Sequence, residues 1–421
     1  MQINCRIQLI IVMTGLIMSG VQSFGQSMNS PYSVYGIGDI DFKKYNRTSG
    51  MGGAGLATMS DELLVDNNPA ALSGLQNRFY LFKAALSGKF STYSGDPVNL
   101  TNRSNRDAWM KGLSFSVKIY KFWGSSIGFS QYSNVNYKYT GSQFIEGAYN
   151  SLDAVYEGNG GLNDFYWTNA FALGKHFSIG VKTSYIGGSI NQNTTIENPA
   201  AGNSLTSKQQ DYYKGLKLEY GAIYHTRLGK QFDLSIGGTF SNKTNLTVER
   251  TLNVEENGTS LVSDKLISYG NYDLPMTYGA GITLKHRNKT TFSLDYTYED
   301  WSSLRVNNSG WKLVSGNRIA GGIQRSWFAQ RWGGGDYEKR FLQAGMFLNK
   351  SYLQVKDQQI NNFGFTAGYG GSLRNNLLYT LSAEVGQRGT TASKLIKENY
   401  VQFTLVLTYR DYLFTKGRRY D

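Results

Sequence analysis

Val401, Phe403, Leu405, Leu407 and Tyr409 alternate with Gln402, Thr404, Val406, Thr408 and Arg410. An alternation this long requires an extended strand with one face in an apolar medium and the other in a polar one. It recurs along the chain. Leu113, Phe115, Val117 and Ile119 alternate with Ser114, Ser116, Lys118 and Tyr120. Phe177, Ile179 and Val181 repeat it, as do Phe232, Leu234 and Ile236, and then Phe292, Leu294, Tyr296 and Tyr298. Looser versions at 78–90, 124–139, 164–174, 214–227, 263–273, 276–287, 317–328, 340–352, 362–371 and 377–388 bring the total to about fourteen or fifteen strands after residue 77. Short turns at 121–124 and 285–289 are interspersed with long polar connections at 140–162, 191–211 and 249–262. That is the habit of a transmembrane barrel. A soluble sandwich uses strands of about 5–6 residues, whereas a tilted membrane strand needs about 9–11. The aromatic pairs Tyr137/Tyr139, Phe165/Trp167, Trp327/Phe328 and Tyr409/Tyr412 stand near strand ends, where interfacial girdles belong. The expected fold is all-β: a transmembrane antiparallel β-barrel of about fourteen strands.

The start of the chain fits this. One basic residue, Arg6, precedes an apolar run from Ile7 to Met18, followed by the small and polar Ser19, Gly20, Ser23 and Gly25. This is the layout of a cleaved signal peptide, with the cut expected after Gly25. Cys5 is the chain's 1 cysteine and leaves with the signal, so neither disulfides nor thiolate chemistry is expected. The 3 histidines, His176, His225 and His286, are scattered without ligand spacing, and no metal or other cofactor is expected. Gly124-Ser125-Ser126-Ile127-Gly128 has the letters of a nucleophile elbow but opens a strand rather than joining a strand to a helix, and no catalytic set is expected. The formal charge is +13, with its Lys and Arg spread along the chain. This suits anionic lipid headgroups or a carboxylate ligand better than nucleic acid, which is not expected as a partner.

Residues 26–77 do not alternate. They include Gly50-Met51-Gly52-Gly53-Ala54-Gly55, which spells G-x-G-x-x-G. The preceding residues 41–47 are too polar for the buried strand that a dinucleotide site requires. The glycines are better read as a backbone packed closely against something. Asp61 to Leu72 could begin as a short helix that Pro69 stops. A non-strand segment ahead of a barrel is most simply a plug inside it.

The stretch MGGAGLATMSDELLVDNNPAALSGL resembles the N-terminal hatch of the FadL/TodX-like family of outer-membrane long-chain fatty-acid transporters. Asn68-Pro69-Ala70, after Asn67 and the glycine run, matches the family's Asn-Pro-Ala motif. LPMTYGAGITLKHRNKTTFSLDYTYEDWSSL, with Asp295-Tyr296 and Asp300-Trp301-Ser302, resembles its late hairpin. Gly160-Gly161-Leu162-Asn163 and the segment 361–372 look like the version found in Bacteroidota. The resemblance implies a signal peptide over 1–25, a hatch over 26–77, a barrel over 78–414 and a basic tail over 415–421. The hatch motif residues are Gly50, Gly52, Gly53, Gly55, Asn67, Asn68, Pro69 and Ala70. It also implies an outer-membrane channel for hydrophobic molecules such as fatty acids, which bind an apolar pocket, pass a moving hatch and leave laterally into the lipid. A lateral gap needs a local failure of strand pairing. Gln131 and Ser133, which interrupt the apolar face of 124–139, mark the candidate kink. Relatives of this kind also serve as accessory subunits of outer-membrane complexes for secretion or barrel assembly. Apolar inward residues near the hatch would favour transport, and a polar, tightly filled interior would favour a scaffold. Lys118, Lys182 and Arg410 face inward by alternation, and nothing singles one out as a ligand partner.

Overall fold

The computed structural model describes residues 30–96, 103–143, 151–198, 202–304, 307–308, 310–330, 336–374 and 376–413. The expected signal peptide and basic tail lie outside these. Fourteen antiparallel strands close into a barrel. They are β1 (Phe79–Gly95), β2 (Ser104–Tyr120), β3 in two halves (β3a, Trp123–Gln131, and β3b, Ser133–Gln143) and β4 in two halves (β4a, Leu152–Gly160, and β4b, Asn163–Leu173). Then come β5 (Phe177–Asn198), β6 (Asn203–Leu228), β7 (β7a, Phe232–Ser241, and β7b, Thr244–Glu256) and β8 (β8a, Thr259–Leu274, and β8b, Thr277–His286). The last six are β9 (Thr290–Glu299), β10 (Gly316–Gln330), β11 (Asp336–Val355), β12 (Gln358–Arg374), β13 (Leu377–Gly389) and β14 (Ile396–Tyr412). Pairing of β1 with β14, from Phe79↔Tyr412 to Gly95↔Ile396, closes the ring.

The alternation sets the two faces. On β14, Phe403 is exposed while Glu398, Tyr400, Gln402, Thr404, Val406, Thr408 and Arg410 are buried inside. The same division runs around the wall: Phe115, Ile127, Trp167, Phe292 and Phe365 are exposed, and Ser114, Ser126, Thr168, Ser293 and Thr366 are buried. Large apolar side chains on the outside and small polar ones within suit a barrel surrounded by lipid.

The wall is uneven in height. β6 has 26 residues and β5 has 22, well beyond what a bilayer crossing needs. The polar stretches 191–211 and 249–262, expected as loops, are largely strand. Residues above the membrane have water on both faces, so they form strands without an apolar alternation to announce them. The turn that joins β7b to β8a is only Asn257-Gly258, both with positive φ.

Candidate functional site

Residues 30–77 run down the inside of the barrel from the loop end to the short-turn end, where the chain enters β1. Local chemistry sets their path. Asn46 caps a 3-10 turn over Arg47–Met51, accepting from the Thr48 N–H, with Ser49 completing a capping box. The turn ends on Gly52 in the left-handed conformation (φ +67°), where a Cβ would lie 2.4 Å from the Met346 carbonyl oxygen of β11. The Gly52 N–H donates to Thr366 Oγ1 (2.7 Å), whose hydroxyl donates to the Gly50 carbonyl (2.9 Å). The Gly55 and Leu56 N–H groups both donate to Asp295 Oδ2, at 2.6 and 2.9 Å. The two motifs singled out in the sequence are therefore joined through the wall and directly. Asn67 Nδ2 donates to the Gly53 carbonyl (2.8 Å). Asn68 Nδ2 reaches the carbonyls of Leu56 (2.9 Å), Gly238 (3.1 Å) and Ala222 (3.2 Å), while its Oδ1 accepts from the Ala70 N–H (3.0 Å). Pro69 and Ala70 sit against wall residue Gly180, where a Cβ would be 2.4 Å from the Pro69 carbonyl carbon.

No helix forms over 61–66. The turn starts at Pro69 and runs to Gly74, with Asn68 as its cap. Proline suits the first helical position because its missing N–H has no partner to lose there, so Pro69 starts a helical turn instead of ending one. Replacing Asn68 by alanine leaves the buried Leu56 carbonyl and the Ala70 N–H without their side-chain partner and loosens the contact to the Ala222 and Gly238 carbonyls of the wall. We expect a loss of about 1–3 kcal/mol from the docking of this segment, checked as faster amide exchange over 53–72 with the wall strands unchanged.

Ion pairs fasten the same segment along its length. Arg388 binds Asp39 (2.5 Å), Lys111 binds Asp41 (2.6 Å), Lys43 binds Glu384, and Lys83 binds Asp66 (2.6 Å). Arg47 grips Glu338 with two hydrogen bonds of 2.6 and 2.7 Å. Arg410 lies 3.1 Å from Glu62, and Lys118 donates to the Ser73 carbonyl (2.5 Å). Of the three inward cations named from the sequence, Lys118 and Arg410 thus hold the segment, while Lys182 pairs with Asp164 on the wall (2.6 Å). Burial alone would raise the Asp66 carboxyl, but the Lys83 ammonium and the Asn46 amide outweigh it and hold it below its usual value. The Asp41 carboxyl is likewise held down against burial by Lys111 and Lys43. Lys44, near Lys182 and buried, is held below the ordinary lysine value.

The space left is small, and its lining mixes charged side chains with apolar ones such as Leu64, Val65, Leu113 and Phe129. A cavity of about 180 Å³ lies between segment and wall, lined in part by Lys44, Asp66, Lys83, Asp164, Lys182 and Glu219. Another of about 140 Å³ is lined in part by Asp39, Lys89, Trp109, Gln131, Glu384 and Arg388. Pockets for small organic ligands usually span about 300–1,000 Å³ and are mostly apolar. Apolar side chains gather instead at the loop end, where Tyr32, Ile37, Val135, Tyr137, Leu353 and Trp301 join one buried cluster. Trp301 is 0 % exposed, stacks on Tyr352 at 4.5 Å and donates to Glu299 (2.7 Å).

The wall is interrupted between β2 and β3. β3a pairs with β2 from Tyr120↔Trp123 up to Gly112↔Ser130, and the strand breaks at Tyr132. Beyond it, β3b pairs with β4a and, on its other edge, with the two-residue strand Asp39–Ile40 of the N-terminal segment. Among the described residues, β2 above Gly112 has a partner on β1 but none toward β3. Gln131 and Ser133, the proposed kink residues, flank the break. Gln131 Oε1 accepts from Lys111 Nζ (3.2 Å), and Ser133 Oγ accepts from the Leu162 N–H (3.2 Å). Lys111 is the unpaired residue of a bulge, since Ala85 faces Gly112 and Leu86 faces Met110. The bulge aims its ammonium inward at the foot of the gap. Gly160, Gly161 and Gly188, all at positive φ, let the neighbouring strands follow the bend. Tyr137, placed in a lipid-facing girdle by the sequence, is buried in the loop-end cluster because the break turns β3b into the lumen. Among the described residues, no group of three or more His, Cys, Asp or Glu side chains could hold a metal ion.

A family model described as BamG matches residues 6–421. A search of the curated proteins returns no match. Among solved structures, the barrel is similar to a Pseudomonas aeruginosa FadL homologue at 12% identity, covering 88% of this chain and 99% of that one with a TM-score of 0.60. It is similar to the Ralstonia pickettii toluene transporter TbuX at 14% identity (88% and 99% covered, TM-score 0.57). The CymD monoaromatic hydrocarbon channel is also 14% identical (88% and 98% covered, TM-score 0.54). At such identities the likeness shows a shared fold.

Proposed function

The chain belongs to the BamG family, and we propose that it serves as a non-transporting barrel subunit of an outer-membrane complex for barrel assembly. The observation that carries this reading is the filled lumen. The N-terminal segment is fastened to the wall along its length by ion pairs and buried backbone contacts, and the two cavities between them are small, with charged groups in both linings. A hydrophobic ligand gains from burial in proportion to the apolar surface it meets, and a cavity of about 180 Å³ that also holds Lys44, Asp66, Lys83, Asp164 and Lys182 leaves a long acyl chain little room.

A second reading, uptake of hydrophobic molecules such as long-chain fatty acids with lateral release, has the break at Tyr132 in its favour, together with a fold shared with named transporters. It requires the N-terminal segment to move. Ile40 and Ser133 face each other in antiparallel register, and directly opposed residues lie about 4.5–5.5 Å apart, within disulfide reach. The pair Ile40→Cys and Ser133→Cys would lock the segment to β3b. In cells lacking the chain, we expect fewer heat-modifiable barrels in the outer membrane, with the oxidised locked protein restoring them as fully as wild type. Recovery only after reduction would overturn the fixed-segment reading. Normal barrel content in cells lacking the chain would overturn the assembly role, and fatty-acid uptake blocked by the lock would establish the second reading.

A further inference from the structure

The break between β2 and β3 adjoins a charged pocket. The cavity of about 140 Å³ is lined from one edge of the break by Trp109 and Lys111 and from the other by Gln131 and Asn134. Four cations of its lining are matched: Lys43 by Glu384, Lys111 by Asp41 (2.6 Å), Arg388 by Asp39 (2.5 Å) and Lys89 by Glu398 (2.6 Å). The fifth, Arg318, forms no ion pair among the described residues. It donates to the Gly52 carbonyl and lies over the Phe347 ring at 5.4 Å. Trp109 Nε1 is buried and has no acceptor among the described residues. A buried donor without an acceptor and a buried charge without a counter-charge both cost free energy. An anion in this pocket relieves both.

Directly below the break, the outside of the wall carries a groove of about 540 Å³, lined by Leu113, Phe115, Ile127, Phe165, Trp167 and Leu216 among others. It starts at the rung Leu113↔Phe129, next to the last rung of the β2–β3a ladder, Gly112↔Ser130. The apolar exterior ends at the height of the break. Along β2, the exposed Met110 gives way outward to Ala108 and then to Arg106, which lies over the Phe90 ring at 5.4 Å. Phe90 gives way to the exposed Thr92 on β1, and Phe165 to Asn163 on β4b. An outward face that is apolar below a line and polar above it marks the edge of the hydrocarbon. The groove therefore lies among acyl chains, and the break lies level with headgroups.

We propose that the break holds the phosphate headgroup of a membrane lipid, with an acyl chain of that lipid in the groove outside. The lipid is a resident ligand of the wall and not a cargo, so the inference goes beyond both the subunit and the uptake readings. A phosphate presents several acceptor oxygens and a full negative charge, which suits Arg318, Lys89, Lys111 and the Trp109 indole N–H around one small pocket. An uncharged amphiphile gains nothing from those donors. Lipid tails are as apolar as the groove itself, so the groove adds packing but little selectivity. Selectivity therefore falls to the headgroup. A free phosphate ion would meet the same donors and make no use of the groove.

The test places the purified full chain in nanodiscs of phosphatidylcholine that contain dioleoyl phosphatidic acid, and native mass spectrometry reads which lipid the released barrel retains. Heat modifiability confirms that each variant is folded. Wild type is compared with Arg318→Gln, with Trp109→Phe, which removes a donor while leaving the Arg318–Gly52 contact in place, and with Lys44→Gln, whose side chain lines only the larger cavity. We expect wild type to retain phosphatidic acid in preference to phosphatidylcholine. Retention should fall about ten-fold in Arg318→Gln and several-fold in Trp109→Phe, as when a hydrogen bond to a charged group is lost, and stay unchanged in Lys44→Gln. It should also survive an excess of inorganic phosphate. Full displacement by inorganic phosphate would overturn the lipid as occupant and leave a site for the free ion. Oleic acid retained ahead of phosphatidic acid would overturn the phosphate headgroup. Equal retention in all four proteins, or none in wild type, would overturn the site itself and leave the subunit reading standing.

Discussion

Gly52→Ala is expected to release the N-terminal segment while the barrel stays closed. Two costs add at this position. A residue with a Cβ pays about 1–2 kcal/mol for the left-handed conformation, and Gly52 sits at φ +67°. The added methyl would also lie 2.4 Å from the Met346 carbonyl oxygen, which is ladder backbone and cannot swing aside. Overpacking of that kind costs about 1–3 kcal/mol, so the total is roughly 2–5 kcal/mol. The wall strands on either side of Met346 keep their own ladder, so the strain falls on the segment. Gly229 supplies the control: it has φ +64° but nothing within 4 Å of its Cβ position. Gly229→Ala should therefore show only the conformational part. Hydrogen exchange over residues 46–57 separates the two, with strong loss of protection in Gly52→Ala and near wild-type protection in Gly229→Ala. Equal protection of this stretch in all three proteins would mean that the Met346 contact does not hold the segment.

The wall was legible in the sequence and its contents were not, for one physical reason. Lipid imposes a uniform apolar face, so Val401 to Tyr409 or Phe292 to Tyr298 announce their strands without any knowledge of neighbours. The inward face is polar whether it meets water, a ligand or packed protein. By alternation alone Asp295 reads as one more polar residue, and the resemblance that marks Asp295-Tyr296 assigns it no partner, although it holds the Gly55 and Leu56 amides. Glu338 is as quiet, although it binds Arg47, 291 positions away in the chain. The polar interruption at Gln131 and Ser133 was visible in the sequence. The turning of β3b into the lumen was not, because Val135, Tyr137 and Tyr139 keep the same parity as Ile127 and Phe129 on either side of the break. The same ambiguity hid the tall sheet above the membrane, where β5, β6, β7b and β8a have no lipid to pattern them. In the glycine run, the missing Cβ atoms told of close approach, and the partner proved to be the backbone of β11 and β12.

Arg47→Ala is expected to cost more than the loss of its hydrogen bonds suggests. Arg47 and Glu338 are 12% and 7% exposed and paired through both terminal guanidinium nitrogens and both carboxylate oxygens. Arg47 also lies over the Phe341 ring at 4.6 Å and donates to Gln324 (3.3 Å). Removing the arginine leaves Glu338 buried with the Gln324 amide, 3.5 Å away, as its hydrogen-bond partner among the described residues and Lys285 as the remaining nearby cation. Stranding one member of a buried pair costs about 3–5 kcal/mol, whereas removing both charges is often close to neutral. The double variant Arg47→Met/Glu338→Gln should therefore be more stable than Arg47→Ala alone, although it is changed at two sites. Limited proteolysis between residues 40 and 60 reads the outcome in folded, heat-modifiable barrels: rapid cleavage in Arg47→Ala and restored resistance in the double variant. Cleavage as fast in the double variant as in the single one would show that the arginine acts by its contacts to Phe341 and Gln324, not by neutralising Glu338. Resistance in both would show that the remaining ion pairs, from Arg388–Asp39 to Lys83–Asp66, suffice to keep the lumen closed.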